Sequence, residues 1–297
     1  MPVITKQQIT PRTRTLRSKR PETREEKRIA ALSPTLNVMV NAVRRVGQSL
    51  VHDFREISNL QISEKGPGDF VSNADLFSEK KLIEFLREAR PEYGFLSEEA
   101  GEIPAADGCD YYFVMDPIDG TNNFIHALPL FALSLALMKG NAVIAGVIFN
   151  PVTNELYYAE KGKGAFLMTP TGNVRLRVSG RRKLKQCLLA TNGYSSERTQ
   201  KGLKNVSKEF ASGRYFGSAA LSMAMLAAGQ VDAQIEFRFH KWDVAAGYLL
   251  VQEAGGKVSA FNGKTDLDTI VSSSTLLAAN PYLHGVLLPK MEKSLMK

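Results

Sequence analysis

From Ser33 onward the chain settles into helical spacing. Met39, Val43, Val46, Leu50, Phe54 and Ile57 recur at steps of three or four, which places them on one face of a helix. Ser33-Pro34 supplies the start: a hydroxyl to cap the first turn and a proline where a missing N–H costs nothing. Lys65-Gly66-Pro67-Gly68-Asp69 breaks the pattern as a turn. A second helix is predicted from about Asn73 to Ala89, ending before Pro91.

The pattern then changes to short apolar runs bounded by turn residues. Tyr111–Met115, Phe131–Met138 and Ala142–Phe149 read as strands, the last two joined at Lys139-Gly140-Asn141 as a hairpin. Leu156–Ala159 and Ala165–Met168 continue the antiparallel pattern, with Gly162 and Gly164 in the turn, and Cys187–Thr191 is another short strand. Beyond it, helix and strand alternate. Ser218–Gly229 is a helix of small and apolar residues, Val231–Phe237 a strand, Asp243–Ala254 a helix stopped by Gly255-Gly256, and Val258 opens a further strand.

The expected fold class is therefore α/β in the mixed α+β sense, with an antiparallel-rich N-terminal half and an alternating C-terminal half. No repeat and no low-complexity linker separates the halves. Three segments are expected: residues 1–30 as an extension, 31–180 as the N-terminal half and 181–297 as the C-terminal half, the two halves packed as one unit.

Composition excludes several classes. With 297 residues, 44% hydrophobic and 23% charged, the chain has material for a sizeable core. The longest strongly apolar run, Leu128–Met138, is far short of the roughly 20 residues of a membrane-spanning helix. The N-terminus lacks the apolar stretch of a secretory signal, so a cytoplasmic location without membrane contact is expected. Cys109 and Cys187 form neither a CxxC site nor a disulfide framework, and His52, His126, His240 and His284 are scattered. A metal site here has to be built mainly from carboxylates.

The net charge of +8 is uneven: residues 1–30 hold nine Lys/Arg and three Glu, a net +6, which leaves +2 for the other 267 residues. The basic character belongs to this segment, which reads as a solvated, disordered extension; nucleic acid or an acidic partner is the alternative. Without interleaved aromatics the nucleic-acid signal is weak.

The sharpest chemical feature is Val114-Met115-Asp116-Pro117-Ile118-Asp119-Gly120-Thr121. An apolar strand delivers two carboxylates into a tight loop, Pro117 fixes the backbone and Gly120 permits close approach to a ligand. Carboxylate oxygens are hard ligands suited to magnesium. Asn122 and Asn123 are expected to open a helix whose free N–H groups favour a phosphate. An Asp-rich turn that only caps the next helix is the competing description.

Asp116–Thr121 resembles the signature loop of the inositol monophosphatase family. Two further segments carry the same resemblance in the same order: Phe95-Leu96-Ser97-Glu98-Glu99-Ala100-Gly101-Glu102 before the loop, and Lys241-Trp242-Asp243-Val244-Ala245-Ala246-Gly247 near the C-terminus. It spans roughly residues 33–290. It implies a layered αβαβα sandwich of the sugar-phosphatase type, a frequent homodimer, and lithium inhibition at a magnesium position.

Site roles follow from the resemblance by position. Glu98, Asp116 and the carbonyl of Ile118 are expected to hold a first magnesium, and Asp116, Asp119 and Asp243 a second. Asp75, in Ser72-Asn73-Ala74-Asp75, is expected with Thr121 to orient or deprotonate the attacking water. Ser72 stands where many relatives have Thr. Gly120 and Thr121 should offer backbone amides to the phosphate, and Lys65 matches a basic residue of a mobile loop. Gly217-Ser218-Ala219-Ala220 resembles a segment that lies against the substrate, and Glu236 one that accepts hydrogen bonds from inositol hydroxyls. Alone, Asp243 reads equally as a helix cap, Glu98 as a surface acid, Asp75 as a first-turn acid, Ser218 as an N-cap and Glu236 as a strand-end acid.

Convergence of these acids has a physical requirement. Each like-charge pair at about 4 Å costs about 4 kcal/mol at an effective dielectric near 20. Two magnesium ions offset most of that charge, and a substrate phosphate makes room for a third. The expected activity is hydrolysis of a phosphate monoester by metal-activated water, with myo-inositol monophosphate as substrate and no phosphoenzyme. Haloacid-dehalogenase phosphatases space their acids two apart, not three. Fructose-bisphosphate, nucleotide 3′-phosphate and histidinol-phosphate phosphatases are alternatives within the family. A transcription-associated or RNA-binding role through the basic segment is the non-enzymatic one.

Overall fold

The computed structural model describes residues 23, 27, 29, 31–56, 62–66, 69–169, 171–192 and 197–296. Helix α1 (Pro34–Arg55) begins where Ser33 accepts a hydrogen bond from the amide of Leu36, and it buries Met39, Val43, Val46 and Leu50 as the spacing predicts. It ends at Arg55, so Phe54 is its last apolar residue and Ile57 lies outside the described residues. The turn expected at 65–69 is a hairpin, β1 (Ile62–Gly66) with β2 (Asp69–Ser72); Pro67 and Gly68 lie outside the described residues. Helix α2 spans Asn73–Ala89.

Eight strands form the larger sheet: β3 (Gly94–Ser97), β4 (Gly101–Ile103), β5 (Tyr111–Asp119), β6 (Ala132–Lys139), β7 (Ala142–Asn150), β8 (Glu155–Glu160), β9 (Gly164–Thr169) and β10 (Gly172–Arg175). Their order is β10-β9-β8-β7-β6-β5-β3-β4, antiparallel except between β3 and β5. A short helix, α3 (Thr121–Ile125), follows β5 directly. The smaller sheet contains β11 (Leu188–Ala190), β12 (Ser212–Arg214), β13 (Ala233–Phe237), β14 (Lys257–Ser259) and β15 (Thr275–Ala279), in the order β12-β11-β13-β15-β14. Between its strands run α4 (Glu197–Ser207), α5 (Ala219–Ala227), α6 (Lys241–Glu253) and α7 (Leu267–Ser273); α8 (Pro281–Met296) closes the chain.

Period-two alternation explains the layers. Phe113, Met115, Leu133, Leu135 and Leu137 face α1 and α2, while Val114, Ala136 and Met138 face α5 and α6. In the smaller sheet, Leu276 and Ala278 face α5 and α6, while Leu277 and Ala279 face α4 and α8. The sequence of layers is thus helix, sheet, helix, sheet, helix. Strands covered on both faces read as continuous apolar runs. Helices α5 and α6, sandwiched between two sheets, are apolar nearly all round. Gly146 on β7 lets α6 lie directly on the sheet: a Cβ there would sit 2.9 Å from the carbonyl oxygen of Ala246. Among the described residues no helix is long and apolar enough to cross a membrane.

Candidate active site

The loop after β5 is built by a bulge. Asp116 lies opposite Ser134 of β6, and Asp119 opposite Ala132, so three steps along β5 match two along β6. On a regular strand, residues three apart point to opposite faces. The extra residue returns both carboxylates to one face, the face of Val114 that looks toward α5 and α6. The Ile118 amide, displaced from the ladder, donates to Asp116 Oδ1 at 2.8 Å. Gly120 follows with φ +102°, and a Cβ there would meet the carbonyl oxygens of Gly217 and Leu130 at 3.1 Å.

Asp243 arrives from the other end of the sequence. It occupies the third position of α6, not its cap; His240 is the cap residue, and its amide donates to Asp243 Oδ2 at 2.6 Å. Ser134, the residue opposite Asp116, donates its hydroxyl to the carbonyl of Trp242 at 2.9 Å and so pins the start of α6 to β6. Carboxylate oxygens of Asp116, Asp119 and Asp243 lie within 4.8 Å of one another. Glu98, in the turn after β3, lines the same cavity but stands outside that trio.

Asp119 also closes the N-terminus of α5. It accepts from the Ser218 hydroxyl, from the Ala220 amide at 2.8 Å and from the Ala219 amide at 3.3 Å. Ser218 in turn caps α5 by accepting from Leu221 N at 3.1 Å. Asp75 sits at the third position of α2 in a capping box, where its Oδ2 accepts from the Ser72 amide at 2.9 Å and the Ser72 hydroxyl at 2.6 Å. Its other oxygen accepts from Thr121 Oγ1 at 3.2 Å, while the same hydroxyl also donates to Ile118 O at 3.1 Å.

Crowded acids away from water resist ionisation. Burial, helped by the charges of Glu98, Asp119 and Asp243, pushes Asp116 well above the ordinary carboxylate range. Burial, with Asp119 beside it, does the same to Asp243. Asp119 rises to about 6 through burial, opposed by its bonds from Ser218, Ala220 and Ala219. Asp75 also rises to about 6 by burial, opposed by Ser72. Glu236 on β13, only 1% exposed, is pushed to about 8 by burial although Gln234 Nε2 and Asn192 N both donate to it at 2.9 Å.

These groups surround a cavity of about 450 Å³. Of the residues expected at the site, Glu98, Asp116, Ile118, Asp119, Gly120, Thr121, Gly217, Ala219, Glu236 and Asp243 line it. Asp75 reaches it through Thr121, and Ser218 is turned onto Asp119. Lys65 belongs to β1, and its side chain is not among those described. The sequence gives no sign of several contributors, and of Asn123 it shows only its place at the start of α3. Asn192 and Arg238 line the cavity, Asn123 Nδ2 donates to the carbonyls of Leu130 and Phe216 at 2.7 Å each, and Glu79 braces the turn of Glu98. None has a spacing signal, because each makes its contact across tertiary structure. Trp242 packs on the core, stacks on His240 at 4.6 Å and also lines the cavity.

The model of the inositol monophosphatase family matches residues 31–296. The chain belongs to the inositol monophosphatase family. Its similarity to the inositol-1-monophosphatase of Caulobacter vibrioides is 43% identity over 259 residues, covering 85% of this chain and 99% of that one. The Nus factor SuhB of Escherichia coli is 37% identical over 271 residues, covering 89% and 98%. In structure, the extragenic suppressor protein suhB from Bartonella henselae superposes with a TM-score of 0.82 at 42% identity, covering 88% of this chain and 99% of that chain. Membership makes this chain a metal-dependent phosphatase of phosphate monoesters, and the layered sandwich is the family's fold. The family model begins at residue 31, so the basic segment lies outside it.

Proposed function

We propose that the cavity hydrolyses myo-inositol monophosphate and related polyol phosphates with magnesium. The observation that carries the metal assignment is the trio of Asp116, Asp119 and Asp243, whose carboxylates crowd within 4.8 Å with no cationic side chain bonded to them among the described residues. A hard, all-oxygen donor set of this kind fits magnesium. Asp116, Asp119, Asp243, Glu98 and the carbonyl of Ile118 would hold two ions, with a third accompanying the phosphate. Bound there, magnesium would supply charge neutralisation, water activation and stabilisation of the leaving alkoxide.

The protein's own groups do the rest. Thr121 Oγ1 donates to Asp75 and Ile118 O, which leaves its lone pairs to accept from a water at the cavity wall. Asp75, whose other oxygen accepts from Thr121 Oγ1 at 3.2 Å, takes the proton relayed through Thr121. Backbone amides of Gly120 and Thr121, at the start of α3, receive the phosphate. The Glu236 carboxyl lines the cavity and is held by Gln234 Nε2 and Asn192 N; its remaining hydrogen-bonding capacity selects a polyhydroxylated alcohol, which can use it where an apolar alcohol cannot.

Phosphate release from inositol 1-phosphate, with and without magnesium, tests the proposal on the native chain and on Asp116→Asn. Activity only in the native chain with metal is expected; equal activity in chelator would overturn it. A panel of fructose 1,6-bisphosphate, a nucleotide 3′-phosphate and histidinol phosphate tests the alcohol.

A second role is suggested by the SuhB relatives named as Nus factors, together with the net +6 of residues 1–30. The proposed partner is RNA in a transcription complex, engaged by the basic segment. Deleting residues 1–30 should abolish salt-dependent RNA binding and leave phosphatase activity intact. The proposed assembly is a homodimer, to be read by sedimentation.

A further inference from the structure

Glu79 is buried at 3% exposure on the same face of α2 as Asp75, one turn further along the helix. Its two carboxylate oxygens accept from two successive backbone amides, Glu99 N at 2.9 Å and Ala100 N at 2.7 Å. Those amides belong to the tip of the β3–β4 hairpin, where Ser97 pairs with Gly101 and Glu98, Glu99 and Ala100 make the loop. Gly101 has φ +69°, the left-handed residue that closes a three-residue hairpin. Such a loop cannot satisfy its own outward-pointing N–H groups, and Glu79 does so from another element.

An acid is a costly choice for this position. It lies in an already anionic region, with Asp75 on its own helix and Glu98 and Glu99 on the loop it grips. Burial raises its proton affinity, and the two amides oppose that rise. The gain is rigidity in a loop that would otherwise be free to tilt, and the first residue of that loop is Glu98. We propose that Glu79 is a positioning residue that fixes Glu98 against the Asp116 loop, so that α2 sets two parts of the site at once: Asp75 on Thr121, and Glu98 on the metal. This inference rests on the assignment of Glu98 as a magnesium ligand.

The test is calorimetric titration of the metal-free full chain with magnesium chloride, without substrate, for the native protein, Glu79→Gln, Glu98→Gln and the double variant. Glu79→Gln keeps one acceptor and sets an NH₂ group against the second amide. Loss of a group that orients a ligand typically weakens metal binding about tenfold or more. The expected result is about a tenfold weakening in Glu79→Gln, a comparable or larger one in Glu98→Gln, and no further loss in the double variant, because both changes remove the same interaction. Phosphatase activity of Glu79→Gln should recover when magnesium is raised by the same factor. Glu79→Asp, which keeps both oxygens on a shorter arm, covers the case in which Glu79→Gln does not fold.

Native affinity in a folded Glu79 variant, with Glu98→Gln weakened, would overturn the positioning role and leave the metal assignment standing. Native affinity in Glu98→Gln would overturn the metal assignment itself. Additive losses in the double variant would show that the two residues act separately and would also refute the inference.

Discussion

Ser218 donates its hydroxyl to the carboxylate of Asp119, 99 positions earlier in the chain. The same hydroxyl oxygen caps α5 through the amide of Leu221. One side chain therefore links the Asp116–Asp119 loop of the larger sheet to the helix layer beneath it. A hydrogen bond to a charged group contributes about 1.5–3 kcal/mol, so Ser218→Ala should lower stability by about 2 kcal/mol. Ser218→Thr should retain most of it. Urea midpoints of the three proteins check this, and equal midpoints for Ala and native would contradict it.

Asp116→Asn separates catalysis from stability. Several kcal/mol of transition-state stabilisation are at stake, which corresponds to a loss of about a thousandfold or more in phosphate release. The metal-free protein should not be destabilised, because the change removes a carboxyl group whose ionisation burial and its acidic neighbours oppose, and Asn keeps an oxygen to accept from the Ile118 amide. Thermal midpoints in chelator provide the check; a large fall would mean that Asp116 is structural.

Asp75→Asn and Thr121→Val both cut the path from water to base. General-base catalysis contributes about 10²–10⁴ in rate, so kcat should drop by that order while KM changes little. Magnesium affinity should stay at the native value, since neither side chain belongs to the oxygen trio. Steady-state kinetics beside metal titration distinguishes this outcome from general damage to the site.

Glu236 makes a pH prediction. Its folded value is raised to about 8 from about 4.3 in an unfolded chain. Between those values the folded state holds a proton that the unfolded state has released, so the group's contribution is fully present below about pH 4.3 and is lost as pH rises to about 8. Glu236→Gln removes this loss. Relative to native, the variant should gain melting temperature at pH 8 and gain little at pH 5, measured without metal. Activity on inositol 1-phosphate should fall mainly through KM.

Much of the acidic loop was legible because it is local: Asp116, Pro117, Ile118, Asp119, Gly120 and Thr121 sit together, and the helix expected after them is α3. Glu98, Asp243 and Glu236 became visible through resemblance, since taken alone each had an ordinary structural explanation. The helix face of α1 could be read from periodicity, and the strands β6 and β7 from their apolar runs and the turn between them. Less could be read where tertiary contact overrides local pattern. Strands β3, β4, β12 and β15 are three to five residues long, too short to show a period. The start of α6 was expected at Asp243 but lies at Lys241, because His240, a weak cap by composition, is held by Asp243 itself. Glu79 carried no signal, since an acid on a helix is usually solvated and its partners are 20 and 21 residues away.

The layering has a corollary. Asp116 and Asp119 are anchored in one sheet, whereas Glu236, on the same cavity, is anchored in the other. The two walls of the cavity thus have separate foundations, and the helix layer between them, which carries Asp243, joins the two. On the proposed roles, a change of alcohol calls for substitutions on β13 and leaves the carboxylates of β5 where they are.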